Sequence, residues 1–107
     1  MGLFDFLKRP DINEGVMVFH DTKGAVLLDV RTNDEYKSGH IPGSINIPLD
    51  RIMTAPDVLK DKDIPIFSYC LRGSRSQRAV AALRRMGYAN VQNIGGINAY
   101  RGETTHG

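Results

Sequence analysis

The sequence predicts one α/β domain in three layers, with a mostly parallel central sheet of four to five strands flanked by helices. Short apolar runs that indicate buried strands alternate along the chain with helical patterns, which is typical of βαβ units. A length of 107 residues with 41% hydrophobic residues suits a single domain with one core. The same composition excludes a disordered chain and a disulfide-rich scaffold.

The first half of the chain predicts two helices and two strands. In order these are a helix over Asn13–Phe19, a strand over Ala25–Val30, a helix from Asn33 that stops at Gly39, and a strand over Ile45–Ile47. Asn13 is the expected N-cap of the first helix, and the first strand is a continuous apolar run of the kind buried on both faces. The stretch Ile52–Leu59 is ambiguous, because Pro56 interrupts any helix there.

The second half predicts a strand, a tight loop, a helix, a last strand and then a short turn or helix. The strand covers Ile64–Tyr69, the loop covers Leu71–Ser74, the helix covers Ser76–Met86 and the last strand covers Val91–Ile94. Pro65 is tolerated only near the start of its strand or at a sheet edge. The helix is amphipathic, with Arg78 and Arg85 on its polar face, and Gly87 suits the position just past its end.

Charge is unevenly distributed along the chain. The 14 basic and 12 acidic side chains give a net charge of only +2. Residues 1–70 carry eight basic and eleven acidic side chains, whereas residues 71–107 carry six Arg and one acid, Glu103. Five of those Arg lie between Arg72 and Arg85. The small net charge and the lack of Trp argue against a nucleic-acid partner, so the Arg cluster is expected to face something smaller.

Cys70, the only cysteine, is expected at the C-terminal end of a strand, directly before a loop and a helix. Ligands of open parallel sheets bind at this edge. The N–H groups of the loop, the helix N-terminus, Arg72 and Arg75 all favour negative charge. We therefore predict a cysteine that is ionised at neutral pH without a His partner.

Other roles suit Cys70 less well. The plain alternative is a buried structural cysteine, but the Gly, two Ser and two Arg that follow it argue against that. His20, His40 and His106 lie in no protease signature. One Cys with three scattered His gives no metal-ligand spacing, so neither a metal nor a cofactor is expected.

Residues 1–9 are expected to form an N-terminal extension to a domain that spans residues 10–107. Asp5 comes before the positive charges, which is the reverse of a secretory signal, and Phe6 stands where a myristoylation signal has Ser or Thr. A short packing helix or a frayed end is expected, with contact to a membrane surface as the alternative. Because no apolar run approaches a membrane span, we expect a cytoplasmic protein without a membrane partner.

Two further stretches resemble the rhodanese family of sulfurtransferases. DVRTNDEYKSGHIPGSINIP over residues 29–48 is similar to the family's D-V-R-x-x-x-E-[FY]-x-x-G-H-I-x-G-[AS]-x-N-[IV]-P signature. GGINAY over residues 95–100 resembles its closing G-G-x-x-A-W, with Tyr100 in place of Trp. The resemblance covers roughly residues 10 to 103 and implies a single rhodanese-like domain.

The resemblance implies that Cys70 is the nucleophile of a sulfurtransferase. In that family the loop cysteine takes a sulfane sulfur, becomes a persulfide, and passes the sulfur to cyanide or a thiol. We therefore expect an anionic donor such as thiosulfate, a thiol or cyanide acceptor, or a sulfur-accepting protein. The expected substrate-binding residues are those of the loop, namely Leu71, Arg72, Gly73, Ser74, Arg75 and Ser76.

Roles within and around the loop are expected as follows. Arg72 is placed to meet an anionic donor, Arg75 to brace the loop or contact the anion, and Gly73 to let the backbone curl towards the sulfur. Ser74 and Ser76 can supply hydroxyl hydrogen bonds or cap the helix.

Most residues of interest outside the loop have two alternative interpretations. Asp29, Arg31 and His40 either line the cleft or are structural, and an ion pair between Asp29 and Arg31 is the favoured reading. Glu35 is expected to be a charge in the first turn of a helix. The Arg of the long helix, Arg78, Arg84 and Arg85, form either a solvated face or a docking surface for an acidic partner.

Three alternatives to a thiosulfate sulfurtransferase stay open. One is a persulfide carrier or sensor that acts with a protein partner, and another is a non-catalytic interaction module, against which the intact loop argues. The third is an enzyme similar to phosphatases or arsenate reductases of this fold. Four residues separate Cys70 from Arg75, a C-x4-R spacing, whereas those enzymes have C-x5-R and a roomier cradle.

Overall fold

The computed structural model of the protein describes residues 9–107, so residues 1–8 of the expected N-terminal extension lie outside the described residues. Its strands are β1 (Val26–Asp29), β2 (Ser44–Asn46), β3 (Ile66–Cys70) and β4 (Val91–Gly96). Within the described part they form one four-stranded sheet in the order β2-β1-β3-β4, and every neighbouring pair is parallel. The predicted parallel α/β sheet is therefore confirmed.

Helices cover both faces of the sheet and complete the three layers. They are α1 (Ile12–His20), α2 (Asn33–Ser38), α3 (Ala55–Val58) and α4 (Ser74–Arg85), with 3-10 turns over Leu49–Thr54 and Ile97–Ala99. Side chains of β3 alternate between the faces: Phe67 and Tyr69 pack with α1, while Ile66 and Cys70 pack with α4. Cys70 thus ends β3 on the side of the sheet that α4 covers.

The start of α1 differs from the prediction. Asp11, not Asn13, is the N-cap, and its carboxylate accepts the N–H of Asn13 at 2.9 Å. The Asn13 side chain instead donates to the carbonyl of Ala99 at 3.1 Å and accepts the N–H of Arg101 at 2.9 Å. Asn13 is the second residue of α1, and its side chain joins the helix to the segment around Ala99.

Two Pro residues set boundaries in the middle of the chain. β3 begins at Ile66, because Pro65 has no N–H to give the sheet, although its carbonyl accepts the N–H of Val26 at 2.8 Å. The ambiguous stretch divides into a 3-10 turn and the short α3. Pro56 lies in the first turn of α3, where a backbone N–H has no partner within the helix.

The C-terminal residues return to the domain and pair with the segment that follows α2. The N–H of His40 donates to the carbonyl of Thr105 at 2.7 Å, and the N–H of Thr105 donates back at 2.9 Å. Gly39 ends α2 and Gly87 follows α4 with φ +99°, both as predicted. No helix within residues 9–107 is both long and apolar enough to cross a bilayer.

Candidate active site

The sulfur of Cys70 lies inside the loop that joins β3 to α4. The backbone N–H of Gly73 donates to Sγ at 3.0 Å, and that of Ser76 donates at 3.3 Å. Cys70 is only 1% exposed, yet its sulfur accepts two backbone N–H groups and is not surrounded by apolar side chains alone. Because the second donor belongs to the first turn of α4, the positive end of the helix dipole also faces the sulfur. This arrangement stabilises negative charge on Sγ.

Glycines allow the loop to take this shape. Gly73 has φ +98°, a left-handed conformation that strains other residues, and it is the N-cap of α4. At the end of β4, a Cβ on Gly96 would overlap the carbonyl oxygen of Leu71, so only glycine fits beneath the loop. That carbonyl accepts the N–H of Asn98 at 3.1 Å. The loop is therefore seated on the end of the neighbouring strand.

Asn93 ties the loop to β4 from a second point. Its Nδ2 donates to the carbonyl of Gly73 at 3.1 Å, and its Oδ1 accepts the N–H of Gly95 at 2.9 Å. The ladder between β3 and β4 shifts register between Ser68 and Tyr69. One side chain therefore fixes both the left-handed turn of the loop and the irregular end of the strand.

Arg75 braces the loop through an ion pair with Glu35 of α2. Its Nη1 and Nη2 donate to the two carboxylate oxygens at 2.6 and 3.0 Å, and both side chains are 31% exposed. The hydrogen bonds from Arg75 lower the pKa of Glu35 to about 2, assisted by those from Thr32. Glu35 is thus the partner with which Arg75 can brace the loop. Glu35 is more than a helix charge, since it also closes the capping box with Thr32 at the start of α2.

The two serines of the loop differ. Ser74 is exposed, whereas Ser76 is buried and its hydroxyl donates to Oγ of Ser68 at 2.8 Å. Of the two expected roles of Ser76, the hydroxyl hydrogen bond is present and the helix cap is wrong. α4 begins two residues earlier, at Ser74, and the carbonyl of its N-cap Gly73 accepts the N–H of Gln77 at 3.0 Å. Ser76 reaches the sulfur through its backbone and the sheet through its side chain.

Arg72 is exposed and makes no ion pair within the described part of the chain. Leu71, before it, is half-buried. Arg84 donates to the carbonyl of Val91 at 2.9 Å, which ties α4 to β4, and Arg85 is exposed. As far as the described residues show, the Arg-rich segment after Cys70 thus supplies one unpaired cation in the loop, one bracing cation and a partly structural helix face.

Asp29, Arg31 and His40 hold the turn that follows β1. Arg31 Nη2 donates to Asp29 at 2.8 Å and to the carbonyl of Gly39 at 2.6 Å, so the expected ion pair is present. Burial opposes the charge of Arg31, but the bonds to Asp29 raise its pKa overall. His40 stacks on Tyr36, with ring centroids 3.7 Å apart, and its Nδ1 hydrogen-bonds the Tyr36 carbonyl. None of the three contacts Sγ by a hydrogen bond.

Tyr69 anchors the strand end that carries Cys70. Its hydroxyl accepts the N–H of Ile41 at 3.1 Å and hydrogen-bonds Oγ of Ser44 at 3.2 Å. Burial, together with the charge of Asp29, raises the pKa of Tyr69 above its ordinary value, so the phenol stays protonated. Within residues 9–107, no three His, Cys, Asp or Glu side chains are grouped so that they could hold a metal ion.

The family model of the rhodanese-like domain matches residues 17–103 of this chain. The chain belongs to the rhodanese-like family. Among solved structures, a rhodanese with anions from E. coli matches with a TM-score of 0.72 and 32% identity, covering 78% of this chain and 99% of that one. The BH2092 protein from Bacillus halodurans matches with a TM-score of 0.77 and 28% identity, covering 95% and 79%.

Relatives of this rhodanese-like chain carry two kinds of name. Thiosulfate sulfurtransferase PspE of Escherichia coli is 40% identical over 74 residues, which cover 65% of this chain and 68% of that protein. A sulfurtransferase of Allochromatium vinosum is 39% identical over 82 residues, or 75% of each chain. A tRNA uridine(34) hydroxylase of Erwinia tasmaniensis is 38% identical over 101 residues, but the matched part is only 28% of the hydroxylase.

Three contributors to the rhodanese-like site were not expected from the sequence. Asn93 and Ser68 lie inside strands, and nothing in their local sequence distinguishes them from other polar residues there. The sequence indicates Glu35 only as a helix charge, although its pairing with Arg75 joins residues 40 positions apart. A bidentate Arg–carboxylate pair is common in proteins, but its partners are found only once α2 and α4 are placed.

Proposed function

We propose that this protein is a sulfurtransferase that moves sulfane sulfur from an anionic donor such as thiosulfate to a thiophilic acceptor through a persulfide on Cys70. The observation that carries the proposal is the pair of backbone N–H groups, from Gly73 and Ser76, directed at Sγ. Such donors favour the thiolate that must attack, and they favour the thiolate again when it becomes the leaving group.

In the first half-reaction the Cys70 thiolate attacks the outer sulfur of thiosulfate. The sulfur–sulfur bond of the donor breaks, sulfite leaves with its electron pair, and a persulfide anion forms on Cys70. Arg72 is the exposed cation of the loop, so an anionic donor that approaches from solvent meets it first. Arg75 is engaged with Glu35, and its part is to hold the loop.

In the second half-reaction cyanide or a thiolate attacks the outer sulfur of the persulfide. The bond between that sulfur and Sγ breaks, the electron pair returns to Sγ, and thiocyanate or a new persulfide leaves. No net oxidation occurs, because the transferred sulfur remains at the sulfane level throughout. The covalent intermediate makes the scheme ping-pong.

The size of the loop supports sulfur transfer over phosphoryl transfer. Four residues separate Cys70 from Arg75, and two of the loop's N–H groups already converge on Sγ. A tetrahedral phosphate or arsenate would need further donors around a wider cradle. A persulfide adds a single atom beyond Sγ.

The test is the mass of the intact protein after exposure to thiosulfate. We expect a gain of one sulfur atom, about 32 Da, that cyanide removes with formation of thiocyanate, and no such gain in Cys70→Ser. Arg85→Gln, on the exposed face of α4, is the matched control and should load as wild type does. Thiocyanate formation by Cys70→Ser would refute the mechanism. Loading without turnover on cyanide or small thiols would favour the carrier that discharges to a partner protein.

A further inference from the structure

The two backbone N–H groups that donate to Sγ are held in different ways. That of Ser76 belongs to the first turn of α4, and the hydroxyl of the same residue is anchored on Ser68 of β3. That of Gly73 belongs to the N-cap before the helix, in the left-handed conformation. Glycine has more backbone freedom than any other residue, so the direction of this N–H depends on what holds Gly73 in place.

The carbonyl of Gly73 accepts two hydrogen bonds. One comes from the N–H of Gln77 at 3.0 Å, within the first turn of α4, and the other from Nδ2 of Asn93 at 3.1 Å. The first bond moves with the helix, whereas the second ties the loop to β4. The carbonyl and the N–H of Gly73 lie in the two peptide planes that meet at its Cα. Holding the first plane against the sheet therefore limits the rotation of the second, which carries the N–H directed at Sγ.

The amide of Asn93 is itself held in the orientation that this bond needs. Its Oδ1 accepts the N–H of Gly95 at 2.9 Å, and the side chain is half-buried. Gly95 is left-handed too, with φ +109°, and a Cβ on Gly73 would lie only 3.6 Å from its Cα. Asn93 thus bridges two left-handed glycines whose backbones are close neighbours, one in the loop and one in β4.

We propose that Asn93 is a positioning residue for sulfur transfer, which acts through Gly73 by keeping its N–H directed at Sγ of Cys70. A donor that is in place before the reaction stabilises the attacking thiolate, and later the thiolate that leaves the persulfide, without reorganisation. Asn93 takes no proton and forms no bond to sulfur, so the bonds and electrons of both half-reactions stay as written above. The proposal rests on the proposed function and adds a residue that sets its rate.

The experiment compares Asn93→Ala with Asn90→Ala, which removes a bond of the same kind. Nδ2 of Asn90 donates to the carbonyl of Asp63 at 2.8 Å, outside the catalytic loop. Loading of the full chain is followed in a single turnover at increasing thiosulfate concentrations. We expect the maximal loading rate to fall about five- to tenfold in Asn93→Ala and less than about twofold in Asn90→Ala. The thiosulfate concentration at half the maximal rate should not change, because Asn93 does not bind the donor.

An unchanged maximal rate in Asn93→Ala would overturn the proposal, and so would an equal fall in both variants. A spectroscopic readout separates positioning from a loss of stability. In Asn93→Ala the backbone amide NMR signal of Gly73 should move more than that of Ser76, because α4 and Ser68 still hold Ser76. Equal movement of the two signals would show a general loosening of the loop and would refute the specific role.

A further variant separates the two bonds of the Asn93 side chain. Asn93→Asp keeps an oxygen that accepts from Gly95 but loses the donor to Gly73. It should load as slowly as Asn93→Ala. Gln92→Asp, which places the same charge on the exposed neighbouring residue, should load at least severalfold faster than Asn93→Asp. Wild-type loading by Asn93→Asp would assign the effect to Gly95 and would overturn the proposal.

Two measurements do not depend on sulfur loading. Iodoacetamide is uncharged and alkylates the Cys70 thiolate, so it should react about five- to tenfold more slowly with Asn93→Ala than with Asn90→Ala. In the wild-type chain this alkylation should shift the side-chain amide NMR signals of Asn93 but not those of Asn90, and equal signals before and after would refute the link. If thiosulfate does not load Cys70, the proposed function fails, while these results still decide the role of Asn93. If loading succeeds and Asn93→Ala reacts as wild type does, only the role of Asn93 is refuted.

Discussion

The ion pair between Glu35 and Arg75 gives the sharpest test of how the catalytic loop is held. Glu35→Gln removes the charge but keeps the shape and the side-chain oxygen that serves the capping box with Thr32. The change therefore isolates the pair at 2.6 and 3.0 Å. Arg75 would lose its anionic partner and, with it, the contact that fixes the first turn of α4 against α2.

The magnitude follows from the pKa of Glu35, which falls from an ordinary 4.5 to about 2. A shift of this size would correspond to about 3 kcal/mol if solvent did not screen the pair. Both side chains are 31% exposed, so we expect about 1 kcal/mol of unfolding free energy at pH 7. That loss should lower the Tm by about 4–6 °C in a domain of this size.

The pH dependence has a definite sign. The pKa of Glu35 is lower in the folded chain, so the stabilisation is present above about pH 4.5 and is lost as the pH falls towards 2. Urea unfolding of wild type and Glu35→Gln should differ by a constant amount from pH 7 to pH 5, and more than half of the difference should vanish by pH 3. The exposed Glu103→Gln is the matched control. A difference that persists unchanged at pH 3 would refute the reasoning.

Three further predictions concern the loop itself. Gly96→Ala would place a Cβ against the carbonyl of Leu71, so we expect a loss of at least 2 kcal/mol in urea unfolding, and wild-type stability would contradict the close approach. Ser76→Ala keeps the N–H that reaches Sγ but leaves the Ser68 hydroxyl unpaired. The free energy of unfolding should therefore fall by about 1–2 kcal/mol, while the rate of sulfur loading changes less than about threefold. A large loss of loading without a loss of stability would assign the hydroxyl to the chemistry. Arg72→Ala should raise the KM for thiosulfate about five- to tenfold with little change for a neutral sulfane donor, and equal effects on both donors would exclude a role in donor binding.

The uneven charge of the chain takes on a clearer meaning in three dimensions. The Arg of the second half have separate tasks, because only Arg72 and Arg75 belong to the loop, and within residues 9–107 only Arg75 has an acidic partner. Arg84 is tied to the backbone of β4, and Arg78 is exposed on α4. Arg residues that lie close together in the sequence thus have different surroundings and different roles in the folded domain.

The sequence by itself determined the elements and the position of the nucleophile. Apolar runs, Gly stops and helical periodicity act within a few residues, so they place Cys70 between a buried strand and a helix before any tertiary contact is known. The signature over residues 29–48 and the family match over residues 17–103 agree with that local reading. Boundaries shifted by one or two residues at several places, as at the cap of α1, the start of β3 after Pro65 and the start of α4.

Only the tertiary structure decided what holds the loop. Glu35 meets Arg75, Asn93 meets Gly73, and Ser68 meets Ser76 because the strand order β2-β1-β3-β4 brings their elements together. These partners lie between 8 and 40 positions apart, and their pairing depends on strand register, including the shift between Ser68 and Tyr69. Local sequence specifies which residues can form such contacts, whereas the packing of the sheet selects which of them do.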